Sequence, residues 1–165
     1  MGRDLDLAGL LRVLDRHQVA YVMIGGLAAV THGSPFPTQD LDITPASRPE
    51  NLVRLSAALT ELGAKIRAED SPDGLPFAHD ADSLGAVHTW NLTTTYGDLD
   101  ISFVPAGTEG FDDLNVSAEP IEFDGVLVRV ASLADVIRSK QAANRPKDQR
   151  VLPTLREMLA RRTGD

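Results

Sequence analysis

The sequence contains no cysteine and no long apolar run, and each absence excludes a class of protein. Without cysteine, the 165 residues can form neither a disulfide nor a thiolate metal site. Any metal must therefore be held by oxygen or histidine ligands. No apolar run approaches the roughly 20 residues that a bilayer-spanning helix needs, and the first six residues lack the apolar segment of a signal peptide. We expect a cytoplasmic protein with no membrane partner.

Basic side chains are scarce in most of the chain and concentrated at its end. The formal net charge of −8 argues against a general nucleic-acid binder. Residues 138–165 carry eight basic and three acidic side chains, whereas residues 1–137 carry eight basic and 21 acidic ones. An acidic body of net charge −13 thus adjoins a basic segment of net charge +5. This segment is either a surface that meets phosphates or the solvated face of a last helix.

The order of elements predicts a mixed architecture. Short β-rich runs such as 21–24 indicate strands, and leucines spaced three and four residues apart over 49–62 indicate a helix. The polar stretch 69–86 is rich in Asp, Pro and Gly, and is predicted to be a mobile loop. Hairpins replace regular strand–helix alternation, so we predict an α+β fold with a mixed β-sheet flanked by helices. The predicted single domain spans 1–165, with a core over about 20–130 and C-terminal helices over 132–162.

Two Asp-X-Asp motifs carry the clearest chemistry. On a strand, Asp40 and Asp42 point to the same face, and each raises the pKa of the other unless a cation neutralises the pair. A third carboxylate from a neighbouring strand would complete an oxygen-rich site for Mg²⁺ or Mn²⁺. Asp100 is preferred because it lies inside the predicted strand, whereas Asp98 is predicted to lie in the hairpin turn 96–98. A lone Asp-X-Asp is more often a solvated strand than a metal site, so the combination of features carries the argument.

A glycine pair precedes the first of these motifs. Gly25 and Gly26 follow a predicted strand and open a short helix, where the backbone can approach a triphosphate and offer free N–H groups. Alone, the pair would indicate only a turn. Three carboxylates with one or two divalent ions suit phosphoryl or nucleotidyl transfer.

Two stretches of the chain resemble a known family. The sequence 22–43, which contains Gly25-Gly26 and Asp40-Leu41-Asp42, is similar to the signature of the polymerase-beta-like nucleotidyltransferase superfamily. The stretch 133–148, in which Lys140 precedes a basic cluster and Asp148, resembles the helical motif of AbiEii-type toxins of bacterial toxin–antitoxin systems. The likeness extends over roughly residues 20–160.

This resemblance implies roles for particular residues. Asp40, Asp42 and Asp100 would bind Mg²⁺ or Mn²⁺, and Gly25 and Gly26 would line the pocket for an NTP such as ATP. Lys140 would contact the nucleotide phosphates, and Asp148 would lie near the site as an acid/base or orienting group.

Two positions depart from the family pattern. Leu27 stands where relatives often have serine, and Phe36 stands where the toxin-like branch often has arginine. The phosphate grip is therefore predicted to rest on Ser34, Lys140 or Arg145.

The sequence leaves three functions open. In the first, the chain transfers an NMP from an NTP to a hydroxyl of a tRNA, a protein or a small molecule, as a toxin with a cognate antitoxin or in another role. In the second, it is a non-catalytic binding or partner module of the same fold, which Phe36 and Leu27 favour. The third is a metal-dependent hydrolase, disfavoured because the glycine pair indicates a triphosphate cradle.

Overall fold

The computed structural model describes residues 4–163, which form strands and helices in mixed order. The strands are β1 (Tyr21–Ile24), β2 (Asp40–Pro45), β3 (Lys65–Ala68), β4 (Ser71–Leu75), β5 (Thr89–Thr94), β6 (Gly97–Ser102), β7 (Glu119–Phe123) and β8 (Val126–Val130). The helices are α1 (Leu7–Arg16), α2 (Gly25–Thr31), α3 (Pro49–Glu61), α4 (Ala81–Gly85), α5 (Phe111–Ser117), α6 (Leu133–Ala143) and α7 (Pro146–Thr163). The predicted domain also includes residues 1–3 and 164–165, which lie outside the described residues, and its single-domain character stays a prediction.

One mixed sheet contains all eight of these strands. Their order is β4-β3-β5-β6-β2-β1-β8-β7. The pairs β1/β8 and β2/β6 are parallel, and the other five pairs are antiparallel. This topology confirms the predicted α+β class and the mixed sheet flanked by helices. None of the helices described between residues 4 and 163 is long and apolar enough to cross a membrane.

The two central strands β2 and β6 have one acidic face and one apolar face. Parallel pairing of β2 with β6 places Asp40 opposite Asp98 and Asp42 opposite Asp100. Because strand side chains alternate, all four carboxylates share one face. The residues between and beyond them are completely buried on the other face: Leu41, Ile43, Leu99 and Ile101.

The two C-terminal helices form a hairpin that returns towards this acidic face. The Ser132 hydroxyl accepts from the Asp135 backbone N–H at 3.1 Å and caps the start of α6. Asn144 ends α6 in the left-handed conformation, with φ +51°, which asparagine tolerates better than most residues. Pro146 then begins α7, as the sequence predicts. The turn directs the basic first half of α7 back along α6.

Two predictions about local structure are wrong. The stretch 69–86 is not a loop throughout, because it contains β4 and α4. The missed signal was the pair Asp80 and Ser83, which form reciprocal capping bonds at the start of α4. Asp98 does not lie in the turn: β6 begins at Gly97, so Asp98 belongs to the strand and pairs with Thr93 across the hairpin.

Candidate active site

The predicted metal ligands open onto one cavity. Asp40, Asp42 and Asp100 line a cavity of about 790 Å³ at the acidic face of the sheet. Asp98 does not line it, and its Oδ1 atom is buried without a hydrogen-bond partner among residues 4–163. The three carboxylates that the sequence singled out thus lie at one cavity, and their role as metal ligands stays a prediction.

Burial and mutual repulsion disfavour full ionisation of this cluster. Burial raises the pKa of Asp42 to about 7, and the neighbouring charge of Asp100, a hydrogen bond with it and the charge of Asp40 act in the same direction. Burial and then the charge of Asp100 also raise the pKa of Asp40, while Arg67 partly opposes this. One proton, or a cation, would therefore relieve the cluster at neutral pH.

Arg67 pairs with this cluster, and sequence reasoning missed it. From β3 its Nη2 donates to Asp100 Oδ1 at 2.5 Å, and its Nη1 donates to the carbonyl oxygen of Leu92 at 3.0 Å. Nη1 also lies 3.6 Å from Asp98 Oδ2. Burial alone would lower the pKa of Arg67, but the adjacent carboxylates raise it above its usual value. No sequence signal could have found this contact, because β3 reaches β6 only across β5.

Side chains packed against Gly25 and Gly26 leave no space for a Cβ atom at either position. Gly25 has φ +69°, and a Cβ there would collide with the carboxyl group of Asp42. A Cβ on Gly26 would lie 2.8 Å from the hydroxyl oxygen of Thr38. Both glycines line the cavity, so the backbone is open there to a bound ligand.

Basic side chains of the α6–α7 hairpin form the opposite wall of the cavity. The predicted residues Lys140 and Arg145 line it, and so do Lys147 and Arg150, which the prediction of site residues omitted. Lys147 acts on the carboxylates, since its charge lowers the pKa of both Asp40 and Asp42. The signal for these two was present: residues three apart on a helix share a face. The cavity thus combines an acidic floor with a basic wall.

Asp148 lies beneath the basic wall. It is completely buried and does not line the cavity. Its Oδ2 accepts from Arg145 Nε at 2.7 Å and from the Arg145 backbone N–H at 3.1 Å, and its Oδ1 lies 3.6 Å from Lys140 Nζ. Burial would raise the pKa of Asp148, but the bonds and charges of Arg145 and Lys140 outweigh it and lower the pKa. Of its two predicted roles, these contacts favour orienting over acid/base.

The loop before β2 supplies the remaining predicted residue. Ser34 is buried at the cavity wall, and its Oγ accepts from the Phe36 backbone N–H at 3.2 Å. Phe36 is 36% exposed and lines the cavity. The aromatic ring therefore occupies the wall position at which the family resemblance suggests an arginine.

The carboxylates suit a divalent cation by chemistry rather than by preformed geometry. All three donors are carboxylate oxygens, which Mg²⁺ and Mn²⁺ prefer. Burial and the neighbouring carboxylates raise the pKa of Asp40 and Asp42, and a bound cation would oppose that effect. Within residues 4–163, no group of three or more His, Asp or Glu side chains is already arranged to hold a metal ion. The predicted ligand set stays a prediction.

Comparison with solved structures shows which fold this is. The chain is similar to the lincosamide antibiotic adenylyltransferase LnuA, solved with lincomycin bound, at a TM-score of 0.59 and 15% identity over 94% of this chain and 99% of that one. It is also similar to TM1012 from Thermotoga maritima, provisionally assigned as a nucleotidyltransferase, at a TM-score of 0.54 and 20% identity over 94% and 91% of the two chains.

A third similar structure is the antibiotic-resistance factor ANT(2'')-Ia in complex with adenylyl-2''-tobramycin. Its TM-score is 0.54, and its identity is 17% over 96% of this chain and 87% of that one. No protein-family description matches the sequence, and no curated protein is similar to it in sequence. The structural likenesses show that the chain has the nucleotidyltransferase fold.

Proposed function

We propose that this protein is a metal-dependent nucleotidyltransferase that moves an NMP from an NTP to a hydroxyl acceptor. The observation that carries the proposal is the single cavity in which Asp40, Asp42 and Asp100 face the glycine pair and the basic wall. Carboxylates suit a divalent cation, and the basic side chains suit phosphates. The nucleotidyltransferase fold supports the same reading.

Each part of the cavity has a role in this reaction. Asp40, Asp42 and Asp100 would hold Mg²⁺ or Mn²⁺, which would polarise the phosphates and stabilise the leaving pyrophosphate. Gly25 and Gly26 line the cavity, so their backbone would face the triphosphate. Lys140, Arg145 and the other two cations of the wall would bind its phosphate oxygens.

Asp148 would serve this reaction without touching the substrate. Its contacts with Arg145 and Lys140 hold both cations where they face the cavity. Removing that carboxylate would therefore loosen the phosphate grip rather than remove a proton carrier.

The charge of the cavity narrows the choice of acceptor but does not identify it. LnuA and ANT(2'')-Ia act on antibiotics, so a small-molecule hydroxyl is one candidate, and a tRNA or a protein side chain are the others. The basic wall disfavours a polycationic acceptor, because like charges repel at close range. A role as the toxin of a toxin–antitoxin system, with a cognate antitoxin and a cytoplasmic location, belongs to the same proposal.

The proposal is tested by transfer of label from NTPs. Wild type is incubated with each labelled NTP, Mg²⁺ or Mn²⁺, and total RNA, protein or small-molecule hydroxyl acceptors. It is compared with Asp40→Asn plus Asp42→Asn, and with Asp112→Asn plus Asp124→Asn, which makes the same charge change at exposed positions. We expect label only with wild type and the exposed-site variant. Equal labelling by all three proteins, or none under any condition, would contradict the proposal.

A non-catalytic module of the same fold is the second candidate. Phe36 favours it, because an aromatic ring stands in the cavity wall where an arginine would grip phosphate. Calorimetry separates the two functions: heat of binding for an NTP with Mg²⁺ supports the enzyme, and no binding of any NTP supports the module.

A further inference from the structure

Arg67 holds the carboxylate that the proposed metal would need. Its side chain extends from β3 across β5 to β6, where it bonds Asp100 Oδ1 at 2.5 Å and the Leu92 carbonyl oxygen at 3.0 Å. Arg67 and Asp100 both line the cavity. A guanidinium keeps its proton at any physiological pH, so a metal ion can gain Asp100 Oδ1 only by displacing Arg67.

A second carboxylate lies beside Arg67 and is only partly used. Asp98 Oδ2 is 3.6 Å from Arg67 Nη1. Asp98 Oδ1 is buried and has no hydrogen-bond partner among residues 4–163, a costly state for a carboxylate oxygen. The two oxygens of Asp98 match the fork of a guanidinium. A shift of the Arg67 guanidinium from Asp100 to Asp98 would therefore give the unpaired oxygen a donor and release Asp100.

The negative charge of four neighbouring carboxylates explains why the site holds an arginine. Asp40, Asp42, Asp98 and Asp100 lie side by side on two strands. Within the described part of the chain, Arg67 is the one basic side chain that forms an ion pair with any of them. Lys147 acts on Asp40 and Asp42 only from a longer distance. Arg67 thus offsets one of the negative charges of this cluster.

We propose that Arg67 is a built-in counter-ion that moves from Asp100 to Asp98 when a divalent cation binds, and so sets the metal affinity of the site. This inference rests on the proposed function, because it needs a metal at Asp40, Asp42 and Asp100. It assigns a purpose to the second Asp-X-Asp motif: Asp100 serves the metal, and Asp98 receives the displaced arginine. Arg67 is a positioning residue in this scheme.

The first test is the affinity for Mn²⁺ alone, measured by electron paramagnetic resonance of free Mn²⁺ and by calorimetry. Arg67→Met removes the competing cation, and we expect it to bind Mn²⁺ about tenfold more tightly than wild type. The control is Arg48→Met, which removes an arginine from an exposed pair with Asp112, and whose Mn²⁺ affinity should equal that of wild type. Affinity that is unchanged or weaker in Arg67→Met would overturn the inference.

The second test asks whether Asp98 receives the arginine. Asp98→Asn is measured in the wild-type background and in Arg67→Met, as a double-mutant cycle. We expect Asp98→Asn to weaken Mn²⁺ binding about tenfold when Arg67 is present, and only about twofold when it is absent, through loss of a nearby charge. Equal effects in both backgrounds would show that Arg67 does not move to Asp98.

The outcomes separate this inference from the function on which it rests. If wild type binds Mn²⁺ and Asp40→Asn plus Asp42→Asn does not, the metal site stands, whatever Arg67→Met shows. If neither wild type nor Arg67→Met binds Mn²⁺, both proposals fail. Circular dichroism verifies folding of each variant. Should Arg67→Met not fold, Arg67→Gln keeps hydrogen-bond donors near Asp100 but removes the charge, and its Mn²⁺ affinity should exceed that of wild type; equal affinity would contradict the inference.

Discussion

At the scale of single residues, Gly25 connects backbone conformation to the carboxylate site. Its φ of +69° is one that side chains rarely adopt, and a Cβ would press against the carboxyl group of Asp42. Gly125 is a natural comparison, because its φ is +85° and a Cβ there would meet nothing within 4 Å. Alanine substitution at Gly125 therefore measures backbone strain alone, whereas substitution at Gly25 adds the contact with Asp42.

We expect Gly25→Ala to lower both stability and activity. Gly125→Ala should cost about 1–2 kcal/mol through backbone strain alone. Gly25→Ala should cost about 1–3 kcal/mol more, because the added methyl displaces Asp42. Urea unfolding measures the stability of both variants. Transfer of labelled NMP from the NTP should be lost only in Gly25→Ala. Equal stability losses in the two variants would show that the contact with Asp42 carries no weight.

At the scale of elements, one buried carboxylate ties α7 to α6. Asp148 lies in the first turn of α7, where its Oδ2 accepts from Arg145 Nε. Its Oδ1 accepts from Arg145 Nη2 and lies 3.6 Å from Lys140 Nζ on α6. Carboxylates near a helix N-terminus are favoured by the free N–H groups there. The hairpin's geometry, and with it the basic wall, depends on this junction.

We expect Asp148→Asn to destabilise the protein by about 1–3 kcal/mol, since it removes a buried carboxylate charge that Arg145 and Lys140 stabilise. The matched control on the same helix is Glu157→Gln, which removes an exposed pair with Arg161 and should cost less than about 0.5 kcal/mol. Urea unfolding at pH 7 measures both. If Asp148→Asn loses no more stability than the control, the contacts of Asp148 do not stabilise the junction of α6 and α7.

The same variant should show a defined pH dependence. The pKa of Asp148 is lowered in the folded protein, so its contribution is present above the unfolded value of about 3.9 and is lost as pH falls through the folded value. The stability difference between wild type and Asp148→Asn should therefore be constant from pH 7 to about pH 5 and shrink below about pH 4.

At the scale of the whole molecule, charge is divided between two parts of one fold. The chain has a formal net charge of −8, yet the wall of the cavity formed by α6 and α7 is basic. The acidic face of the sheet and this wall are far apart in the sequence and meet only at the cavity. An anionic ligand that enters it is attracted by one wall and needs a cation at the other.

We expect Lys147→Gln plus Arg150→Gln to weaken NTP binding about tenfold, because two phosphate-facing cations are lost. The control is Arg156→Gln plus Arg161→Gln on the same helix, which makes the same charge change away from the cavity lining and should alter affinity less than about twofold. Calorimetry with Mn²⁺ and each NTP measures both. Similar losses in the two variants would mean that general charge, and not the wall, attracts the nucleotide.

Several features of the fold could be predicted locally because their physical cause is local. Leucine spacing over 49–62 indicated α3, and the β-rich run 21–24 indicated β1. The prediction failed over 69–86, where composition suggested a loop but the capping pair Asp80 and Ser83 begins a helix. Composition is an average over a stretch, whereas a cap depends on two side chains at one spacing.

By itself the sequence determined that Asp40 and Asp42 share a face, because period two is a property of any strand, and that a glycine pair stands before them. Only the tertiary structure decided that β6 lies parallel to β2 with Asp100 opposite Asp42, that Arg67 reaches Asp100, and that Asp148 is buried beneath the basic wall. The first two contacts join residues that are tens of positions apart in the sequence, and the third joins α6 to α7. Their register is set by how the apolar faces pack, which no local pattern contains.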